Sequence, residues 1–249
     1  MTALPSENTR FHRETMTTLQ PEKVYWELRR KLVGGELRPG LRLEYKTIST
    51  EMGISATPVR EAMCRLAGEG LVDLVPRAGA IVRGLGEQEA VQLFGIREAI
   101  ETYAASRAAQ GMSDLGLRQL ESLLQRMRRI ISRAGDKISE RSLAAMTEAD
   151  LDFHSTFVEA AGNAMLTKLS RDSQVRSRAF IAAQFARDKL SRQEELRMHT
   201  LIYRSLKRRD AAGASQLVLQ HLRRSLRLAL AGKVVYRLPW EDGSLASSS

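Results

Sequence analysis

At 249 residues and 43% hydrophobic, the chain can bury real cores and suits two domains rather than one. A net charge of +10 and a pI of about 10.2 favour an acidic partner such as nucleic acid. Cys64 is the single cysteine, which excludes an internal disulfide, and no apolar run approaches the ~20 residues of a membrane span.

Residues 1–19 are polar and aperiodic and are expected to form a mobile arm. Glu7, Asn8, Arg10 and His12 come too early for a signal peptide, so a reducing, cytoplasmic location is expected. A first domain is expected over 20–83. Its first helix should start at Pro21, bury Val24, Leu28 and Leu32, and stop at Gly34-Gly35. Arg38-Pro39-Gly40 is a turn. Tyr45 to Met52 predicts a short helix, turned by Gly53.

Thr57-Pro58 then starts a second helix, a hydroxyl residue to cap and a proline in the first turn. Val59, Met63 and Leu66 recur at i, i+4, i+7 as one apolar stripe, and Gly70 stops the helix. Arg60 and Arg65 fall off the stripe, available to phosphates or base edges. Two short helices joined by a tight turn predict a helix-turn-helix whose second helix enters a major groove. Leu71–Val75 and Ala80–Val82 are short β-type runs around a Pro76–Gly79 turn. Such a wing would lay Arg77 near a minor groove or the backbone; the plainer alternative is a solvated loop arginine.

Residues Val24 to Val82 resemble the winged helix-turn-helix of the GntR family of bacterial regulators. The resemblance is carried by Val24-Tyr25, Leu28-Arg29, Gly35-Glu36-Leu37, Pro39-Gly40, Leu43, Gly53, Ser55, Thr57 to Ala62, Leu66, Gly70-Leu71-Val72 and Gly79-Ala80. It implies double-stranded operator DNA as the partner, met by Ser55, Thr57, Arg60, Arg65, Arg77 and Gly79. One departure is Ala56, where that family usually has arginine; the missing cation should weaken the phosphate-driven part of affinity. Residues 20–85 hold eleven Lys and Arg against eight Asp and Glu, a net of +3, while 86–249 carry a net of +7, so charge does not single out this domain.

Gly84-Leu85-Gly86 is a linker. From 87 to 232 the texture changes, with no proline between Arg77 and Leu238 and good helix formers dominating. Six helices are predicted, roughly 87–110, 113–134, 139–161, 164–187, 191–209 and 211–231, punctuated by Gly111, Gly135, Gly162 and Asp210. The fold class is therefore mainly α: a winged helix-turn-helix followed by an all-α, six-helix bundle whose short connections predict antiparallel neighbours. Residues 233–249 are expected to be a frayed tail.

Three of the four histidines fall on these helices. Asp150 and His154 stand at i and i+4, stacked on one face, whereas Asp152 points elsewhere. His199 and His221 lie on the last two helices. One carboxylate and three imidazoles suit a divalent ion, zinc first, with nickel and manganese also compatible; packed or surface histidines are the alternative. The surrounding runs Glu148 to His154, Ala161-Gly162-Asn163, Met198-His199, Asp210-Ala211-Ala212 and Gln220-His221-Leu222 resemble the metal-binding version of the FadR-type C-terminal sensory domain (FCD), over about Glu87 to Leu230. That family is an all-α effector-binding bundle, and six helices resemble its VanR-type branch. The resemblance implies a metal at Asp150, His154, His199 and His221, with Arg97 near the effector.

A guanidinium beside a metal with open positions would clamp a small organic acid, metal on one oxygen and fork on the other. The alternative for Arg97 is an exposed i, i+4 pair with Glu101. Asn163 could orient the effector, or simply end a helix. Met112, Met127 and Met146 are core filling. The leading functional expectation is a ligand-responsive, homodimeric transcriptional regulator, a repressor released by its effector and not an enzyme. A constitutive DNA-binding protein with a structural metal, and a metal-dependent hydrolase using Glu148, are the alternatives.

Overall fold

The computed structural model describes residues 7–185 and 189–231, with side chains from Gln20 to Ser177 and from Lys189 to Ala231. The expected tail at 233–249 lies outside the described residues. The first helix, α1 (Glu7–Val33), runs further back than expected and carries Pro21 inside it. The arm reading is corrected over 7–19: no glycine or proline stands between Glu7 and Gln20, so nothing stops the helix there. Pro21 removes one interior hydrogen bond without ending it.

Next come β1 (Arg42–Glu44), α2 (Tyr45–Met52), α3 (Ala56–Gly68), β2 (Val72–Val75) and β3 (Gly79–Val82). The three strands form one antiparallel sheet in the order β1-β3-β2. A strand at 42–44 was not expected, since three residues carry no readable alternation. The apolar stripe of α3 packs with α1 and the sheet: Val59, Ala62, Met63 and Leu66 are all fully buried beside Val24, Leu28, Leu32, Val72 and Ala80. The N-cap of α3 is Ser55, so Thr57 and Pro58 lie inside the first turn rather than opening it.

The second domain comprises α4 (Glu87–Gly111), α5 (Asp114–Arg133), α6 (Glu140–Glu159), α7 (Ala164–Phe185), α8 (Lys189–Lys207) and α9 (Ala211–Ala231). Local chemistry sets the starts. Side-chain oxygens of Ser113, Ser139, Asn163 and Asp210 accept from the amide nitrogen three residues on, at 3.2, 3.2, 3.1 and 2.9 Å. Gly135 and Gly162 take left-handed backbone just after α5 and α6, whereas after α8 that conformation falls on Arg209 (φ 61°) and Asp210 is the next N-cap. The bundle is not a simple sequence of neighbours. α4 makes little contact with α5, its successor, and packs chiefly against α9, with α6, α7 and α8 around it. Four buried alanines (Ala104, Ala105, Ala108, Ala109) keep α4 slim enough for that central place. Met112, Met127 and Met146 are buried in this core.

α7 touches both domains. Val175 joins the first domain's core, and Arg176 ion-pairs with Glu89 beside the left-handed Gly70 that follows α3. A cleft of about 1120 Å3 opens between α1, α2, α5, α6 and α7; no histidine lines it. Among the described residues, no helix is long and apolar enough to cross a membrane.

Candidate metal centre and nucleic-acid interface

α6 presents Asp150 and His154 one turn apart, and α8 and α9 bring His199 and His221 against them. One possible ligand atom from each lies within 4.8 Å of the other three. Asp150 is 2% exposed and the three imidazoles are completely buried. His154 and His221 stack at 5.1 Å between centroids, His199 stands edge-on to His221 at 4.8 Å, and His199 Nε2 is 3.1 Å from Asp150 Oδ1. Phe153 packs edge-on against His199 at 4.7 Å, walling one side.

The far nitrogens are anchored. His199 Nδ1 donates to the Glu195 carbonyl at 2.8 Å, and His154 Nδ1 meets Glu101 Oε2 at 2.5 Å. Both imidazoles thereby turn Nε2 toward the cluster. Buried His154 Nε2 has no hydrogen-bond partner among the described residues. Nitrogen and oxygen ligands sit about 2.0–2.2 Å from zinc, so ligands sharing an ion lie up to about 4.4 Å apart. The present donors need only a small contraction to reach that, so the residues fit a metal.

Arg97 is fully buried on α4 rather than exposed. Its Nε donates to Glu101 Oε1 at 2.7 Å and its Nη1 to Ser177 Oγ on α7 at 2.9 Å, while Nη2 has no hydrogen-bond partner among the described residues. Glu101 therefore spans Arg97 and His154. Burial alone would raise its carboxyl, but the Arg97 charge and the hydrogen bonds from His154 and Arg97 outweigh it and hold it at about 2. Burial pushes His154 below its ordinary value despite Glu101. Burial also presses on His199, but Asp150 overcomes it and leaves that imidazole raised.

Two other acids differ from expectation. Glu195, unremarked in the sequence, is buried with Oε1 3.8 Å from His221 Nε2 and Oε2 3.6 Å from Arg224 Nη1. Its place four residues before His199 was the only available signal. Glu148, the possible acid or base of the hydrolase reading, pairs with Arg126 at 3.0 Å on a half-exposed surface. Asn163 is corrected too: it is exposed and caps α7 through Leu166 N, so it does not join the centre.

On the first domain a cleft of about 460 Å3 gathers Tyr45, Lys46, Ala56, Arg60 and Arg77. Arg60 lies over the Tyr45 ring at 5.3 Å and is exposed. Arg77 tips the wing in left-handed backbone (φ 62°). Ser55 and Thr57 are exposed at the start of α3, and Ser55 makes no side-chain capping bond. Lys46 was missed because a lone lysine on a short helix carries no pattern. Arg65 is held elsewhere, over the Tyr25 ring at 3.9 Å and paired with Glu22 at 2.6 Å. Gly79 is buried in the sheet opposite Glu44, where a Cβ would stand 1.9 Å from the Leu43 carbonyl oxygen. The close approach of the two strands is what requires a glycine at this position.

Residues 20–82 match the bacterial regulatory proteins of the gntR family, and residues 92–224 match the FCD domain. The HTH-type transcriptional repressor RspR of Escherichia coli (strain K12) is 30% identical over 204 residues, 81% of this chain and 85% of that protein. The gluconate operon transcriptional repressor of Bacillus subtilis (strain 168) is 27% identical over 195 residues, 76% of each. In fold, E. coli McbR/YncC superposes with a TM-score of 0.75 at 20% identity, over 86% of this chain and 98% of that one. A winged helix-turn-helix with an FCD bundle behind it, matched along most of its length, makes this chain a member of the GntR family of bacterial transcriptional regulators, a ligand-responsive DNA-binding protein.

Proposed function

We propose that the chain is a cytoplasmic, homodimeric repressor released from its operator by a small carboxylic acid bound at a divalent metal. The single observation that supports this best is the pairing of a buried Asp150, His154, His199, His221 cluster with Arg97, whose Nη2 has no partner among the described residues. Asp150, His154, His199 and His221 would hold the ion, and zinc, nickel and manganese all accept imidazole and carboxylate. When bound, the metal would supply a Lewis-acid anchor for an anionic oxygen, and Arg97 would donate to the acid's other oxygen. The two relatives named above are repressors, one of them of a gluconate operon, which supports repression and an acid effector.

A dimer would set two α3 helices about one DNA turn, ~34 Å, apart on a pseudo-palindrome. Effector binding then favours domain arrangements that no longer match that spacing. The test is thermal-shift screening of sugar acids, hydroxy acids, amino acids and aromatic acids against zinc-loaded protein, followed by operator release for each hit. Stabilising acids that leave operator affinity unchanged would favour constitutive DNA binding with a structural metal instead.

A further inference from the structure

Glu101 belongs to none of the residue sets named so far, yet it touches both. Its carboxylate is completely buried on α4, and its two oxygens are divided: Oε1 takes Arg97 Nε at 2.7 Å, and Oε2 takes His154 Nδ1 at 2.5 Å across to α6. A carboxylate leaves water only where its charge and lone pairs are met. An i, i+4 pairing with arginine would meet half of that; the imidazole meets the rest.

Two consequences follow from the chemistry of the donors. An ionised carboxylate only accepts, so His154 carries its proton on Nδ1 and turns the Nε2 lone pair toward Asp150, His199 and His221. Arginine only donates, and with Nε on Glu101 and Nη1 on Ser177 the plane of its fork is set, with buried Nη2 unpartnered among the described residues and so available to a ligand. We infer that Glu101 is the positioning residue for both halves of the site, setting the His154 tautomer that a divalent metal requires and aiming the Arg97 fork at the effector's carboxylate. The inference rests on the metal site of the proposed function.

Glu101→Gln tests it with little change of shape. Arg97 would claim the amide oxygen, leaving the amide NH2 toward His154. Nδ1 must then accept, and the imidazole proton moves to Nε2, the nitrogen that faces the cluster. Three measurements on full-length protein follow this: zinc titration by calorimetry, imidazole 15N spectra of the metal-free protein, and operator binding by anisotropy as a check on folding. The expected result is an Nδ1–H His154 in wild type, an Nε2–H His154 in the variant, and zinc affinity weakened 10–100-fold, the range for losing an outer partner of a ligating histidine.

Metal-free operator affinity should stay within twofold, because Glu101 lies outside the DNA-binding domain. Zinc affinity within threefold of wild type overturns the inference, as does an Nε2–H His154 in wild type. If Glu101→Gln loses operator binding through misfolding, the wild-type spectrum decides alone: Nδ1–H upholds the inference and Nε2–H overturns it. A wild-type protein that takes up no zinc, nickel or manganese overturns the metal site itself, and the inference with it, before any variant is compared.

Discussion

Arg97 and Glu101 stand one helical turn apart on α4, joined Nε to Oε1 at 2.7 Å, with 1% and 0% of their side chains exposed. On a helix surface such a pair contributes a few tenths of a kcal/mol. Here the pairing matters for a different reason, since losing either partner leaves a charge without its counter-ion in the core. Arg97→Met should therefore destabilise the metal-free protein by about 3–5 kcal/mol. Adding Glu101→Gln should restore part of that loss, a non-additivity measurable by urea unfolding of the two single variants and the double.

Acid should reveal the same carboxylate. The ordinary value of 4.5 for a glutamate is lowered to about 2 at Glu101. A depressed carboxyl contributes stability above its unfolded value and loses it as pH falls through the folded one. The stability difference between wild type and Glu101→Gln, both metal-free, should be full above pH 4.5 and shrink toward pH 2. A difference that stays flat across that window would mean Glu101 is not ionised in the fold.

The metal reading makes an ordered prediction. His199→Ala or His221→Ala should remove most bound metal and abolish effector response, while the first domain still binds operator. Elemental analysis gives the first quantity and operator release against effector concentration the second. Loss of metal with release at the wild-type effector concentration would make the metal structural and move the effector site elsewhere.

Arg60 and Arg65 lie on one helix and should behave differently. Arg60 faces the cleft shared with Lys46, Ala56 and Arg77, so Arg60→Ala should cost ~1–3 kcal/mol of operator binding if it reads guanine, or lower the salt slope by ~1 if it meets phosphate. Arg65 is already engaged by Glu22 and Tyr25, so Arg65→Ala should leave operator affinity within about twofold and cost ~0–1 kcal/mol of stability. Ala56→Arg adds a cation to the cleft and should tighten binding to all sequences. Equal losses from the two alanine variants would refute the assignment of faces.

Arg77 combines a contact with strain. A non-glycine residue in left-handed backbone costs roughly 1–2 kcal/mol, so Arg77→Gly should unfold at equal or higher denaturant despite losing its side chain. The same variant should lower the salt slope of operator binding by ~1. Unchanged slope would leave Arg77 a solvated turn residue.

Most of the element order was legible in the chain because its signals are local. Spacing and stop residues place Tyr45–Met52 and all six helices of the second domain within a few residues of where they lie. The Asp150–His154 half of the cluster was legible for a related reason: two residues at i, i+4 share a helix face whatever that helix packs against, whereas the spacing is silent on His199 and His221, which the family resemblance supplied. Other features depend on what lies across from a residue, which no spacing encodes. Arg65 was expected to be available to DNA, and Glu22 and Tyr25 of α1 already engage it. Gly79 was expected at the DNA, and the Leu43 carbonyl makes it a packing glycine. The Arg97–Glu101 spacing is the same on a solvated face and in a core; only the packing of the other helices around α4, α6 and α7 among them, withdrew it from water. His154 could then take Glu101's second oxygen, because desolvation turns an optional partner into a required one.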